Sequence, residues 1–346
     1  MHRCWFLAFA LTLLPYPARA ADAPGGLDIY FVDTEGGAAT LIVTPAGESV
    51  LIDCGNPGGR DAERIHKACT AAGLKTLDHL CITHWHSDHY GGVARLAQLI
   101  EIKNFYDHGI PETLDEDPKG FPLLIAGYKT ASGGKSTALK AGDELKLKQP
   151  ASGPALKLLC VSSGGAVIPD KAGAPENPVA KEHKPMAEDK SDNARSLGFL
   201  LTYGDWKFVD LGDLTWNIEY KLVHPSDKIG LVDVFLSSHH GLNISNNPVL
   251  LQTIKPRVTV FNNGAKKGGH PSIIATLRRI PDTQAIYQIH RNVTAGAQEN
   301  TDPEYIANPD EKCQGEGIKL SVAPDTKSYT LTVGSTGKPK SYETRK

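Results

Sequence analysis

The segment from Thr83 to Gly92, "THWHSDHYGG", constrains this chain more than any other, because it packs three of the 13 histidines and an aspartate between an apolar run and a helical pattern. Counted from His84, the polar residues fall at offsets of two, four and five. Those offsets share neither one face of an α-helix, with its 3.6-residue period, nor one face of a strand, with its period of two. They suit a tight loop whose side chains converge on one point in space. Three imidazoles and a carboxylate brought together form the donor set of a borderline divalent metal such as zinc. The competing reading is a polar loop with chance histidines, and the concentration of histidine in one loop weighs against it.

The flanking sequence predicts the scaffold. Short β segments, "LDIYFV", "AATLIVT" and "SVLIDCG", are separated by Gly36-Gly37 and by Pro45-Ala46-Gly47. A helix is expected over residues 61–72, then an apolar strand "HLCIT" leading into the histidines, then a helix over 90–100. Further strands are expected at "KNFYD", "ALKLLCV", "LGFLLTY", "WKFVDLGD", "VDVFLSS" and "RVTVFNN", with a β-hairpin in "IKLSVAPDTKSYTLTVG". Strands that later alternate with helices imply layered α/β packing. Residues 164–192 break the pattern: rich in Pro, Lys, Glu and Ala, they read as a surface loop, either a lid or a solvated insertion.

The N-terminus has the order of a secretory signal, with Arg3, an apolar run over residues 5–14 and Ala18-Arg19-Ala20. The run is far short of the roughly 20 residues that span a bilayer. Residues 1–20 are therefore expected to be cleaved and the remainder, 21–346, exported to a periplasmic or extracellular location without a membrane span. Loss of Arg3 and Arg19 lowers the 37 basic side chains to 35 against 39 acidic ones, a balance that gives no general nucleic-acid-binding face. Five cysteines remain, Cys54, Cys69, Cys81, Cys160 and Cys313, an odd number that leaves at least one thiol free and admits one or two disulfides at most.

The motif "THWHSDHYGG" resembles the HxHxDH signature of the metallo-β-lactamase fold superfamily, and other motifs follow in that family's order over most of residues 27–280. "LIDCG" supplies Asp53, "FVDLGDL" supplies Asp213 and "VDVFLSSHHG" supplies His239 and His240. Within the superfamily, "NARSLGFLLTYGDWKFVDLGDL", "SSHHG" and "GGHPS" resemble the hydrolase domain of ComEC/Rec2-type competence proteins and their stand-alone secreted relatives. The resemblance implies a four-layer αβ/βα sandwich, here one hydrolase domain with an insertion at 164–192 and a C-terminal hairpin. It also implies that His84 and His86 hold a first metal, that Asp88, His89 and His240 hold a second, and that Asp213 bridges them. Asp53 would orient the ligand loop from behind. Where most relatives carry a third histidine for the first metal, this chain has Asp192, either an oxygen ligand or a loop cap.

The expected cofactor is one or two Zn2+ ions, with Mn2+ or Fe2+ as substitutes. Two divalent ions activate water for attack on an electrophile, and the leaving group then needs a proton, for which Asp88 or His239 is available. His239 is otherwise a substrate contact, and a register shift of one residue would exchange its role with that of His240. His270, with Lys266 and Lys267 before it, could bind an anionic leaving group, although an isolated lysine pair is more often ordinary surface charge. His66, His79, His108, His183, His224 and His290 have no partner pattern and read as structural or surface residues. The function expected first is hydrolysis of phosphoester bonds, phosphodiesters above all, in a small-molecule or other phosphoester substrate, with nucleic acid entering only as a substrate. Hydrolysis of lactone, thioester or β-lactam bonds is the second expectation, and a non-catalytic metal-binding protein with a degraded site is the third.

Overall fold

Strands that are apolar on both faces must be covered on both sides. Leu41, Ile42, Val43, Val50, Leu51 and Ile52 make two such strands in succession, and all six are buried. In the computed structural model, which describes residues 25–313 and 315–345, two nine-stranded sheets meet face to face. The expected export signal at residues 1–20 lies outside the described residues. The first sheet has the order Lys340–Glu343, Ser328–Val333, Ile318–Val322, Leu27–Phe31, Thr40–Val43, Ser49–Ile52, Thr76–Cys81, Glu101–Asp107, Thr137–Ala138. The second has the order Ile306–Asn308, Ala285–His290, Val258–Phe261, Val234–Leu236, Trp206–Asp210, Gly198–Tyr203, Leu156–Ser163, Glu144–Leu145, with Ala166–Val167 paired to Leu156–Ser163.

Alternation along each strand divides the apolar side chains between separate cores. Ile42, Val50 and Ile52 point between the sheets and meet Phe199, Leu201, Phe208 and Val260. Their neighbours Leu41, Val43 and Leu51 point the other way, onto Ile65, Leu96 and Ile125 of the helices Arg60–Ala71, Val93–Leu99 and Phe121–Ala131. On the opposite side, Val209, Phe235 and Phe261 pack on Leu250, Ile254, Ile274 and Leu277 of the helices Pro248–Ile254 and Pro271–Arg278. The order is helix, sheet, sheet, helix, the expected four-layer α/β sandwich. The expected hairpin closes the first sheet, and Lys340–Glu343 extends it by one more strand.

One local expectation needs correction. Residues 90–100 do not form one helix: a single turn, Ser87–Tyr90, ends at Gly91-Gly92, and a second helix, Val93–Leu99, begins after them. A Cβ on Gly92 would strike the Cys54 carbonyl and one on Gly91 the Pro57 backbone, so the break lets the histidine loop lie directly on the loop after Ser49–Ile52. All five described cysteines are free thiols, four of them buried, which lies within the expected ceiling of two disulfides. Residues 164–192 are largely exposed loop with one short 3-10 turn, Ala180–Glu182. No helix among the described residues is long and apolar enough to cross a membrane.

The topology also determines where chemistry can sit. Ser49–Ile52, Thr76–Cys81 and Glu101–Asp107 are parallel neighbours, as are Trp206–Asp210, Val234–Leu236, Val258–Phe261 and Ala285–His290. In parallel sheets the loops beyond the carboxyl ends of the strands collect the ligand-binding groups. Asp53, His84, Asp213, His239 and Lys267 each lie on the loop that leaves such a strand.

Candidate metal centre

The site begins at the end of Ser49–Ile52, where Asp53 takes a left-handed backbone conformation with φ of 62°. Its carboxylate, buried completely, accepts from the Thr83 peptide N–H at 2.7 Å, the Thr83 hydroxyl at 2.7 Å and His89 Nδ1 at 2.6 Å. Thr83 Oγ1 in turn lies 3.1 Å from His84 Nδ1. The Nδ1 atoms of two histidines are thus engaged from behind, which turns their Nε2 atoms forward into the cleft.

What those nitrogens face is a set of carboxylates. Asp213 Oδ2 lies 3.2 Å from His89 Nε2, 3.3 Å from His240 Nε2, 3.4 Å from His239 Nε2 and 3.9 Å from His84 Nε2. Asp88 Oδ2 lies 3.2 Å from His240 Nε2 and 3.7 Å from His89 Nε2. Two triads, His84 with His89 and Asp213, and Asp88 with His89 and His240, each bring their donor atoms within 4.8 Å of one another. Buried polar atoms are normally paired, yet His84 Nε2, His86 Nε2 and Asp213 Oδ1 have no hydrogen-bond partner. Orphaned donors of nitrogen and oxygen type that converge in a buried cleft fit a divalent cation.

The electrostatics point the same way. Burial alone would raise the Asp213 carboxyl, but the His240, His89 and His239 imidazoles hold it well below the usual carboxylate range. Asp88 is likewise held down against burial by His89, His240 and Lys267. His84, by contrast, is pushed well below the ordinary imidazole value by burial and by the neighbouring His89, so it is a neutral base. Burial would also lower His89, but Asp213, Asp53 and Asp88 outweigh it and raise its pKa. Burial raises the Asp53 carboxyl behind His89, and Asp88 and Asp213 in front of it demand positive charge at one point. In this structure it comes from protonated His89 and from Lys267, whose Nζ reaches Asp88 Oδ2.

The remaining sequence-predicted residues separate. His239 and His240 share a strained turn, with φ of 53° and 55°, the kind of backbone cost found at functional sites. Both imidazoles reach the cluster, and His239 Nδ1 is tied to Ser245 Oγ at 3.2 Å. Of the lysine pair, Lys267 reaches the cleft, whereas Lys266 pairs with Glu311 on the surface. His270 uses Nδ1 to cap the helix Pro271–Arg278 through Ser272, at 2.8 Å to the hydroxyl. Asp192 accepts from the Trp85 peptide N–H at 2.7 Å and from His108 Nε2 at 3.0 Å, so it braces the loop between His84 and His86.

Sequence reasoning missed Thr83, whose hydroxyl lies behind three site side chains. It also missed Glu116 on the loop after Glu101–Asp107 and gave His108 no partner, although His108 holds Asp192. None of these three carries a local signal, because each acts through residues at least 30 positions away or through a single hydroxyl. Two cavities flank the centre, one of about 420 Å3 beside Glu116, Asp192 and Arg195, and one of about 430 Å3 between Trp216, Met186 and Ile244. The end of the 164–192 segment lies between them, held by Trp216 Nε1 on the Lys184 carbonyl at 2.9 Å and Asn217 Nδ2 on that of Met186 at 2.8 Å. A separate cluster, Asp33, His290 and Cys313, has its carboxylate already neutralised by Arg64 at 3.1 Å.

Residues 32–156 match the model of the Metallo-beta-lactamase superfamily. The chain is 33% identical to Ribonuclease Z of Bradyrhizobium diazoefficiens over 111 residues, covering 31% of this chain and 32% of that protein. It is 25% identical to ComE operon protein 3 of Bacillus subtilis over 201 residues, covering 58% of this chain and 22% of that protein. Among solved structures it is similar to CmlA, a diiron beta-hydroxylase from Streptomyces venezuelae, with a TM-score of 0.45, 15% identity, and coverage of 76% of this chain and 53% of that one. The chain thus spans about a third or less of the length of these two sequence relatives. The histidine loop and its Asp53 support thus lie within residues 32–156, the part of the chain that is similar to the Metallo-beta-lactamase superfamily.

Proposed function

We propose that this protein is an exported metal-dependent hydrolase of phosphoester bonds, built as one domain over residues 21–346. The observation that carries the reading is the convergence of His84, His89, His240, Asp88 and Asp213 in one cleft, with the His86 ring 4.7 Å from that of His84 and the Nε2 atoms of both left without a partner. His84 and His86 would hold a first ion, Asp88, His89 and His240 a second, with Asp213 between them. A pair of divalent ions supplies an acidified water for attack and positive charge beside the substrate oxygen.

The protein groups would do the rest. When Ser245 donates to His239 Nδ1, the Nε2–H of His239 points into the cleft, where it can donate to an oxygen on which charge develops. Lys267 adds an ammonium on the same side, suited to an anionic substrate. The apolar cavity at Trp216 offers a surface for the leaving group. Phosphoester chemistry is further supported by the name of one relative, Ribonuclease Z, and by the resemblance of the "NARSL" and "SSHHG" motifs to ComEC-type hydrolase domains. Export rests on the pattern of residues 1–20.

The test is hydrolysis of an activated phosphodiester by the purified protein with Zn2+ or Mn2+, with Asp88→Ala beside it. Asp88 touches His240 and Lys267, so its removal should cut turnover by about a thousandfold or more, the scale of losing a group that acts only in the transition state. Turnover unchanged in the variant would reject the reading. No turnover by a metal-loaded protein would move the substrate class to lactones, thioesters or lactams.

A further inference from the structure

We infer that the cavity at Trp216 is a subsite for an aromatic ring on the substrate's leaving group, and that it sets the preference of the centre among phosphoesters. The inference deepens the phosphoester reading above and rests on it. Among the described residues, four large apolar side chains are exposed, and two of them, Met186 at 41% and Ile244 at 47%, line this one cavity together with Trp216. Exposed apolar groups gathered around one concavity mark a binding surface.

The walls are held by hydrogen bonds that leave their apolar sides free. The Trp216 peptide N–H donates to the Ile244 carbonyl at 3.1 Å, and its indole Nε1 donates to the Lys184 carbonyl at 2.9 Å. With that N–H taken, the indole has only carbon to offer the cavity. The Asn217 amide pairs twice with the Met186 backbone, accepting from its N–H at 3.1 Å and donating to its carbonyl at 2.8 Å. Two polar atoms of wall residues, Asn193 Oδ1 and Ser191 Oγ, are buried and have no partner. Buried polar atoms are normally paired, so the wall is incomplete until something with polar atoms on its edge lies against it.

Three wall residues stand within two positions of groups at the metal centre. Thr215 follows Asp213 by two, Asn193 follows Asp192, which braces the histidine loop, and Ile244 precedes Ser245, whose hydroxyl lies 3.2 Å from His239 Nδ1. Two residues of chain reach at most about 7 Å, so a substrate held at Asp213 and His239 has this cavity beside it. The cavity holds about 430 Å3, whereas a dry space of about 150 Å3 already accepts a benzene ring. A flat ring suits it better than an alkyl chain of equal size, because a ring has no rotamer freedom to lose on binding and stacks on indole.

The experiment is calorimetric titration of the metal-loaded purified protein with phenylphosphonate, cyclohexylphosphonate and methylphosphonate, for wild type, Trp216→Leu and Ile244→Asn. These compounds carry the anion and have no ester bond to cleave, so they read binding alone. Circular dichroism checks the fold of each variant, and Ile244, being exposed, is replaceable without loss of core packing. Wild type should bind phenylphosphonate about tenfold more tightly than methylphosphonate, and more tightly than cyclohexylphosphonate. In both variants the phenyl-to-methyl ratio should fall severalfold. Equal affinity of wild type for phenylphosphonate and either of the other two, or a ratio unchanged in both variants, would overturn the aromatic subsite and leave the phosphoester reading intact. Binding of none of the three would overturn that reading and the subsite with it.

Discussion

Thr83 shows how much of this centre depends on single atoms behind the ligands. Its hydroxyl donates to Asp53 and lies within 3.3 Å of the Nδ1 atoms of both His84 and His89. Thr83→Val keeps the volume and removes the donor, leaving a buried carboxylate with one fewer hydrogen bond and His84 Nδ1 without its partner, while Asp53 still holds His89. The expected result is a fold intact by circular dichroism and a loss of metal affinity of about 10- to 100-fold, the scale on which outer-shell partners act. Unchanged affinity in a Co2+ titration would show that Asp53 alone orients the loop. At this scale the sequence was legible where spacing is local. His84, His86, Asp88 and His89 lie within six residues and converge for that reason, and the resemblance to a known motif order pointed to Asp53, Asp213 and His240. The placing of Glu116 beside Asp192 was not legible, because it comes from a peptide N–H 76 positions away. Nor did the sequence say how Asp192 would turn, since a ligand and a loop brace are the same residue until the partners are in place.

The elements divide in a similar way. Leu27–Phe31 was readable from its alternation, which is that of burial on one face of a sheet, and Gly198–Tyr203 from a short apolar run buried on both faces. The helices Trp216–Lys221 and Pro248–Ile254 are only six and seven residues long, too short for a clear 3.6-residue pattern, and were missed. The break at Gly91-Gly92 was hidden because its cause is the Cys54 loop lying against it. One of the missed helices carries a buried acid. Glu219, on Trp216–Lys221, accepts from the Asn247 peptide N–H at 2.8 Å, and burial raises its pKa from 4.5 to about 7 against that bond. The folded protein keeps this proton up to about pH 7, whereas the unfolded chain releases it near 4.5. The group therefore favours the fold fully below pH 4.5, and that contribution is lost as pH rises through 7. Glu219→Gln retains an acceptor for Asn247 and removes the titration. Its stability relative to wild type should rise between those pH values, by on the order of 3 kcal/mol at most. Denaturant unfolding at pH 4.5 and pH 7.5 measures the difference, and parallel curves for the two proteins would contradict it.

At the level of the whole molecule, the centre is the seam between the two sheets. Asp53 and the histidine loop leave the first sheet, and Asp213, His239 and His240 leave the second. A cation held between them would tie the halves of the sandwich together as well as serve chemistry. Without it, the Asp88 and Asp213 carboxylates face one point and depend on His89 and on Lys267 for compensation. An ion that binds the folded state and not the unfolded one stabilises by mass action, by about 2.7 kcal/mol per site at a hundredfold excess over its dissociation constant. Chelation should therefore lower the melting temperature by several degrees, and added Zn2+ or Mn2+ should restore it. Because the ligands must be deprotonated to bind, the same shift should shrink as pH falls below the ordinary imidazole pKa of about 6.5. Lys267→Met provides a contrast that separates this linkage from general electrostatics. Removing the ammonium leaves Asp88 less compensated in the metal-free state, so the variant should lose stability when chelated and lose less when loaded. An equal loss in both states would mean that Lys267 does not share the cation's place, and that the seam is held by packing between the sheets alone.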